Sequence, residues 1–222
     1  MIDYRILGPL EVSAGGRVIE IGGPKLRVLL VILLLRANQP VPRDVLAHEL
    51  WGEQPPPGAQ GSLDVYVSRL RKALGPYANG SVLVTRPGAY SLLVEEGQLD
   101  ARRFERLVEQ GRVALARNAP DQAATRLRAA LKLWRGPALA DLADGPGPPI
   151  EAIRLEELRL SATEDRIESD LALGRQADVV GELEALVAAH PLRERLQGQL
   201  MIALYRCGRQ AEALEAYQAS RR

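Results

Sequence analysis

The chain has 222 residues, 46% hydrophobic and 26% charged, and its 29 basic side chains against 28 acidic ones leave a formal net charge of +1. That composition suits a folded chain of one large or two modest domains and argues against a disordered one. A single cysteine, Cys207, excludes an intramolecular disulfide, and with only His48 and His190 no zinc cluster is expected.

The first residues, Met1-Ile2-Asp3-Tyr4-Arg5, lack a basic segment followed by an apolar run, so no export signal is expected and the protein is placed in the cytoplasm. Residues 2–21 alternate apolar and polar side chains, with Gly8-Pro9 and Gly15-Gly16 as turns, which predicts three or four short strands. Pro24 suits the first turn of a helix, where its missing N–H loses no bond, and that helix is expected to reach about Asn38. Its apolar run, residues 28–35, is flanked by Arg27 and Arg36 and is far shorter than the roughly 20 residues that cross a bilayer. It predicts a buried helix and no membrane partner. Gly22-Gly23-Pro24-Lys25 lacks the spacing and second glycine of a phosphate-binding loop and is a turn before that helix. Residues 42–51 give a second helix, and Gln54-Pro55-Pro56-Pro57-Gly58 a stiff spacer before the third.

The third helix, residues 62–74, separates two tasks. Leu63, Val67, Leu70 and Leu74 recur at the spacing of one buried stripe, while Ser62, Asp64, Val65, Ser68, Arg69, Arg71 and Lys72 lie elsewhere on its surface. The second set combines cations for phosphates, an arginine suited to a guanine edge, and small or apolar groups suited to a thymine methyl. Between residues 59 and 94 the charges are Arg69, Arg71, Lys72 and Arg86 against Asp64 alone. Two strand-like runs, residues 81–84 and 89–94, flank Arg86-Pro87-Gly88, a tight turn whose cation is placed to reach a minor groove. Arginine abundance alone says little, because lysine occurs only at Lys25, Lys72 and Lys132 and the Ala, Gly and Pro content is that of a GC-rich genome.

Strand pattern gives way to helical pattern near Glu95-Glu96-Gly97-Gln98. One helix begins with Phe104, Leu107, Val108 and Gly111. A second, residues 122–134, turns Ala123, Leu127, Ala130 and Leu131 inward. After a break at residues 137–149, in which Asp141 and Asp144 form a polar loop and not a metal site, a third helix runs from 150 to about 174. Gly174-Arg175-Gln176-Ala177-Asp178 and Gly208-Arg209-Gln210-Ala211-Glu212 are offset by 34 residues, the tetratricopeptide period. Val179, Leu183, Leu186 and Pro191 in one copy, and Ala213 and Tyr217 in the next, stand where packing of helix pairs needs them, and Ala123, Leu127 and Ala130 suggest an earlier copy. Cys207, Trp51 and Trp134 are expected as core side chains, and no catalytic constellation is present.

The early sheet, Pro24-Lys25-Leu26-Arg27 opening a Leu-rich helix, the Leu50-Trp51-Gly52 corner, Val65-Tyr66-Val67-Ser68-Arg69-Leu70-Arg71-Lys72-Ala73-Leu74 and Thr85-Arg86-Pro87-Gly88-Ala89-Tyr90 resemble the OmpR-type winged helix-turn-helix. Leu99-Asp100-Ala101-Arg102-Arg103-Phe104, Leu131-Lys132-Leu133-Trp134-Arg135-Gly136-Pro137 and Arg154-Leu155-Glu156-Glu157-Leu158-Arg159 resemble the bacterial transcriptional activation domain. Together they resemble the SARP family, the Streptomyces antibiotic regulatory proteins. Leu26, where relatives often carry a polar residue, and Gly145-Pro146-Gly147-Pro148-Pro149-Ile150, where a helical turn with an aromatic is more usual, depart from the pattern.

The resemblance implies an α+β winged helix over residues 1–96, followed by an all-α tetratricopeptide-like domain over residues 99–222. It implies an activator of secondary-metabolite genes, without cofactor, that binds tandem repeats in double-stranded promoter DNA as a head-to-tail homo-oligomer and recruits RNA polymerase holoenzyme. Larger relatives append an ATPase module for which this chain has no room, and the further helical segment usual in the family is missing, which leaves open whether the chain is shortened. The rival reading is a tetratricopeptide adaptor whose winged helix binds protein, which DNA competition would separate.

Overall fold

The computed structural model describes residues 1–78, 82–140 and 149–220. Its elements run β1 (Ile2–Arg5), β2 (Glu11–Ala14), β3 (Arg17–Val18), α1 (Pro24–Leu35), β4 (Val41–Pro42), α2 (Arg43–Trp51), α3 (Ala59–Leu74), β5 (Leu83–Arg86), β6 (Ala89–Leu92) and α4 (Asp100–Ala116). They continue with α5 (Pro120–Leu131), α6 (Pro149–Ala172), α7 (Gln176–Ala189), α8 (Glu194–Arg206) and α9 (Gln210–Ser220). The chain forms two compact units, Met1–Phe104 with Leu133–Glu157, and Glu105–Lys132 with Leu158–Arg222.

In the first unit, β1, β2 and β3 form an antiparallel sheet in that order, with Tyr4 opposite Val12 and Ser13 opposite Val18. The α1 helix is apolar almost all round and buries Leu26 and every residue from Val28 to Leu34, as a helix at the centre of a core must. It ends three residues before the expected Asn38, which instead takes φ 70° and exchanges hydrogen bonds with Leu92 and Val94. Sequence pattern also misses β4, because two residues carry no period. Val41 and Pro42 nevertheless pair with Tyr90 and Ala89, giving a second sheet in the order β4-β6-β5. The chain around residue 98 is stitched to β1: Tyr4 N–H donates to the Gln98 carbonyl, and buried Asp100 accepts from the backbone N–H groups of Ile6 and Leu7. Trp134 lies beyond the end of α5, not within it as expected, and is buried with its ring edge-on to Phe104 at 5.3 Å.

The second unit is helical throughout its described residues. Gly111 shows why α4 and α5 lie so close: a Cβ there would sit 2.6 Å from Leu127 Cγ. Ala123, Leu127 and Ala130 are buried, but Leu131 is only half-buried. Ile167 and Leu171 of α6, Val179, Val180 and Leu183 of α7, and Leu196, Leu200, Ala203 and Leu204 of α8 make one core, with Leu186, Cys207 and Ala213 packed at its edge. Pro191 and Tyr217 do not join it; both are exposed, Tyr217 by 45%. The α6 helix carries a layer that apolar periodicity does not announce, with Glu164, Asp165, Arg166, Ser169 and Asp170 all buried. Arginines answer these acids: Arg112 and Arg195 reach Asp165, Arg193 reaches Glu164, and Arg128, Arg166 and Arg175 converge on Asp170. Asp141, Asp144 and the glycine-proline run before Pro149 lie outside the described residues, as do Ser81 and the chain end at Arg222.

Candidate nucleic-acid interface

The α3 helix starts three residues before its expected first residue, after Gly58 in a left-handed conformation, and its sixteen residues span about 24 Å. Leu63, Val67, Leu70 and Leu74 are buried, so one stripe is fixed to the core. Ser62, Val65, Ser68, Arg69 and Lys72 are exposed at spacings of three and four, which places them along one outward stripe, with Val65 exposed by 49%. Trp51 at the end of α2 stacks on Tyr66 at 6.1 Å, and Lys25 Nζ lies over the Trp51 ring at 4.9 Å, so the corner before α3 is held by aromatic and cation contacts.

The hairpin of β5 and β6 stands beside α3. Arg86 pairs with Ala89 across a two-residue turn, Pro87-Gly88, in which Gly88 has φ 66°, a left-handed value that glycine adopts without strain. Arg86 is exposed beside that tip. The turn is tied back to the body by Arg43 N–H, which donates to the Gly88 carbonyl at 3.0 Å.

Two residues expected to face a ligand are engaged by the wing. Arg71 donates from Nε to the Leu83 carbonyl at 2.8 Å and from a terminal nitrogen to Thr85 Oγ1 at 2.7 Å, with its guanidinium 6.0 Å from the Tyr90 ring centre. Asp64 accepts at Oδ1 from both Arg43 and the Tyr90 hydroxyl. Arg43 also donates to Gln60 Oε1 and lies 5.4 Å from the Tyr90 ring centre, so Tyr90 is flanked by two guanidinium groups. The Tyr90 hydroxyl, and then Arg43, hold the Asp64 carboxyl below the usual carboxylate range. Burial, and then Asp64, push the Tyr90 hydroxyl up.

The structure therefore brings Ser62, Val65, Ser68, Arg69 and Lys72 together on one surface, sets Asp64 and Arg71 on the side facing the wing, and places Arg86 at the wing tip. Arg43, Gln60, Thr85 and Tyr90 were not singled out from sequence. Their side-chain partners lie 14 to 47 positions away, beyond any period. Among the described residues no group of three His, Cys, Asp or Glu side chains could hold a metal ion, and no helix is long and apolar enough to cross a membrane.

Residues 18–91 match the family described as transcriptional regulatory protein, C terminal, and residues 99–222 match the bacterial transcriptional activator domain. The chain is 43% identical over 223 residues to the regulatory protein DnrI of Streptomyces peucetius, covering 97% of this chain and 82% of that one. It is 42% identical over its whole length to the regulatory protein AfsR of Streptomyces griseus, of which it spans only 22%. The solved structure of Mycobacterium tuberculosis EmbR in complex with a low affinity phosphopeptide superposes with a TM-score of 0.94 at 40% identity, covering 99% of this chain and 58% of that one. The winged helix and the helical repeats thus occur here in the combination and order found in a family of regulators, not enzymes, and the chain belongs to that family, the SARP transcriptional regulators.

Proposed function

We propose that this chain is a sequence-specific activator that binds tandem repeats in double-stranded promoter DNA and recruits RNA polymerase holoenzyme to secondary-metabolite genes in the cytoplasm. Residues 1–96 supply DNA binding, and residues 99–222 supply assembly and polymerase contact. The observation that carries this reading is the outward stripe of α3 beside a turn presenting Arg86. An α-helix fits the major groove, where Arg69 meets a guanine edge and Ser62, Val65 and Ser68 meet other base edges and methyl groups. Lys72 takes a phosphate, Arg71 braces α3 against the wing, Asp64 joins the base contacts from the wing side, and Arg86 enters the adjacent minor groove, with preference for narrow A·T-rich flanks. No cofactor enters the scheme.

Two copies sit head to tail, using two different patches unlike a two-fold dimer, so the free protein can be monomeric and assemble on DNA. Band-shift assays with excess competitor, over a range of salt, test the first part: specific binding whose affinity falls steeply with salt supports it, and salt-insensitive or sequence-blind binding refutes it. Inserting half a turn, about 5 base pairs, between repeats should abolish cooperative binding, and a full turn of about 10 should partly restore it. Cooperativity indifferent to both insertions rejects the tandem arrangement.

A further inference from the structure

Between residues 59 and 94 there is one acid, Asp64, on the wing-facing side of α3 next to the outward stripe, where a carboxylate should be repelled by DNA phosphates. Its geometry suggests why it stands there. Its two oxygens are not equivalent: Oδ1 accepts from Arg43 at the start of α2 and from Tyr90 of β6, while Oδ2 has no partner among the described residues. The side chain is 50% exposed. Two donors on two other elements therefore hold the carboxylate, offset its charge locally, and leave Oδ2 unengaged among the described residues.

A fixed carboxylate oxygen is a selective probe of a base edge, because an ionised carboxylate accepts hydrogen bonds and donates none. In the major groove, guanine offers acceptors at N7 and O6, thymine offers O4, and adenine sets its N6 donor beside the N7 acceptor. Cytosine alone presents a donor without a neighbouring acceptor on the same base. Resting on the placement of α3 in the major groove, we propose that Asp64 reads the N4 amino group of a cytosine through Oδ2, with Tyr90 and Arg43 as the residues that position it. The lowered carboxyl pKa agrees with this, since the group stays ionised at neutral pH.

The test is selection of full-length protein on randomised duplex DNA, followed by affinity measurements on the selected site with each of the four bases at every position. For the wild type, one position should require cytosine by roughly 5- to 150-fold. Asp64→Asn should move that position toward adenine, because an amide donates to N7 and accepts from N6, and leave the other positions as they were. Tyr90→Phe keeps the ring beside Arg43 and Arg71 and removes one donor to Oδ1, so the cytosine preference should fall by roughly 2- to 10-fold. Arg69→Ala reports on the placement of α3 itself. A wild type without sequence preference, unaffected by Arg69→Ala, overturns the DNA-reading helix and this inference together. A sharp site blurred by Arg69→Ala, with no position altered by Asp64→Asn, overturns only the inference. Equal loss for all four bases on Asp64→Asn makes Asp64 a brace of the wing and also overturns it.

Discussion

Arg71 offers a direct test of how the wing is held, because two different roles give it the same uniform loss of DNA affinity. Its Nε and terminal nitrogen donate to Leu83 and Thr85 on β5, and its guanidinium lies 6.0 Å from the Tyr90 ring centre. Hydrogen bonds from a charged donor contribute about 1.5–3 kcal/mol when buried, and an exposed cation over a ring about 0.5–1 kcal/mol. Since Thr85 is exposed and Arg71 half-buried, Arg71→Ala should cost about 2–3 kcal/mol in all. For a chain of this length that is a fall in Tm of roughly 4–12 °C. With the wing loosened, affinity for every sequence drops, while the slope of log K against log salt stays as it was. Lysine keeps the charge but not the two-pronged geometry, so Arg71→Lys should recover little of either property. A phosphate contact predicts the opposite: unchanged Tm, a salt slope smaller by about 0.9, and rescue by lysine. Calorimetry with salt-dependent fluorescence anisotropy separates the two, and that second pattern would refute the bracing role.

Other expectations follow from buried polar groups. Asp170 is 2% exposed and accepts from Arg128, Arg166 and Arg175; only Arg166 is buried and it keeps Glu182, so Asp170→Ala should destabilise the helical unit by about 1–3 kcal/mol. Urea unfolding checks this against Asp178→Ala, an exposed acid expected to change stability by no more than about 0.5 kcal/mol. Tyr4 is fully buried, its hydroxyl has no hydrogen-bond partner among the described residues, and burial pushes its pKa from 10.0 to about 12. A raised folded pKa gives stability that is complete below pH 10 and lost as pH rises towards 12. Tyr4→Phe should therefore be near-neutral at pH 7 and flatten the loss above pH 10, and an unchanged alkaline profile in unfolding experiments would assign that loss elsewhere.

How much of this was legible in the sequence depends on the range of the interaction. The buried stripe of α3, the apolar α1 and the turn at Gly88 are set by spacings within one helical turn or by one residue's allowed φ, and such patterns survive in any context. The β4 strand has no such local cause. It exists because Val41 and Pro42 meet Tyr90 and Ala89 across nearly fifty residues. Tyr217 illustrates the converse: a spacing compatible with packing places a side chain on a face, but only the neighbouring helices decide whether that face is covered. The acids of α6 were illegible for a related reason. Periodicity sorts apolar from polar, and a buried carboxylate satisfied by arginines from other helices is polar in sequence and core in structure.

The same distinction divides the candidate interface. Ser62, Val65, Ser68, Arg69 and Lys72 could be found from sequence because exposure on a helix is periodic, and their chemistry is carried by residue type. Asp64 and Arg71 share that exposed side in a helical projection, yet their roles depend on Arg43, Thr85 and Tyr90, which no helical projection contains. A winged helix needs both kinds. Contacts to bases must project freely, and the angle at which they project must be fixed by groups engaged with the rest of the fold. Arg71 and Arg43, both close to the Tyr90 ring, meet that need, linking the end of α3, the start of α2 and the wing through one buried aromatic ring. Loss of that ring in Tyr90→Ala should therefore be more damaging than loss of either arginine alone: it removes a buried side chain and both cation contacts at once, and should lower affinity on every DNA sequence together with Tm. Thermal melting and anisotropy on Tyr90→Ala, Arg43→Ala and Arg71→Ala check the order, and a Tyr90→Ala protein that melts and binds no worse than Arg43→Ala would show that the wing is positioned by other contacts.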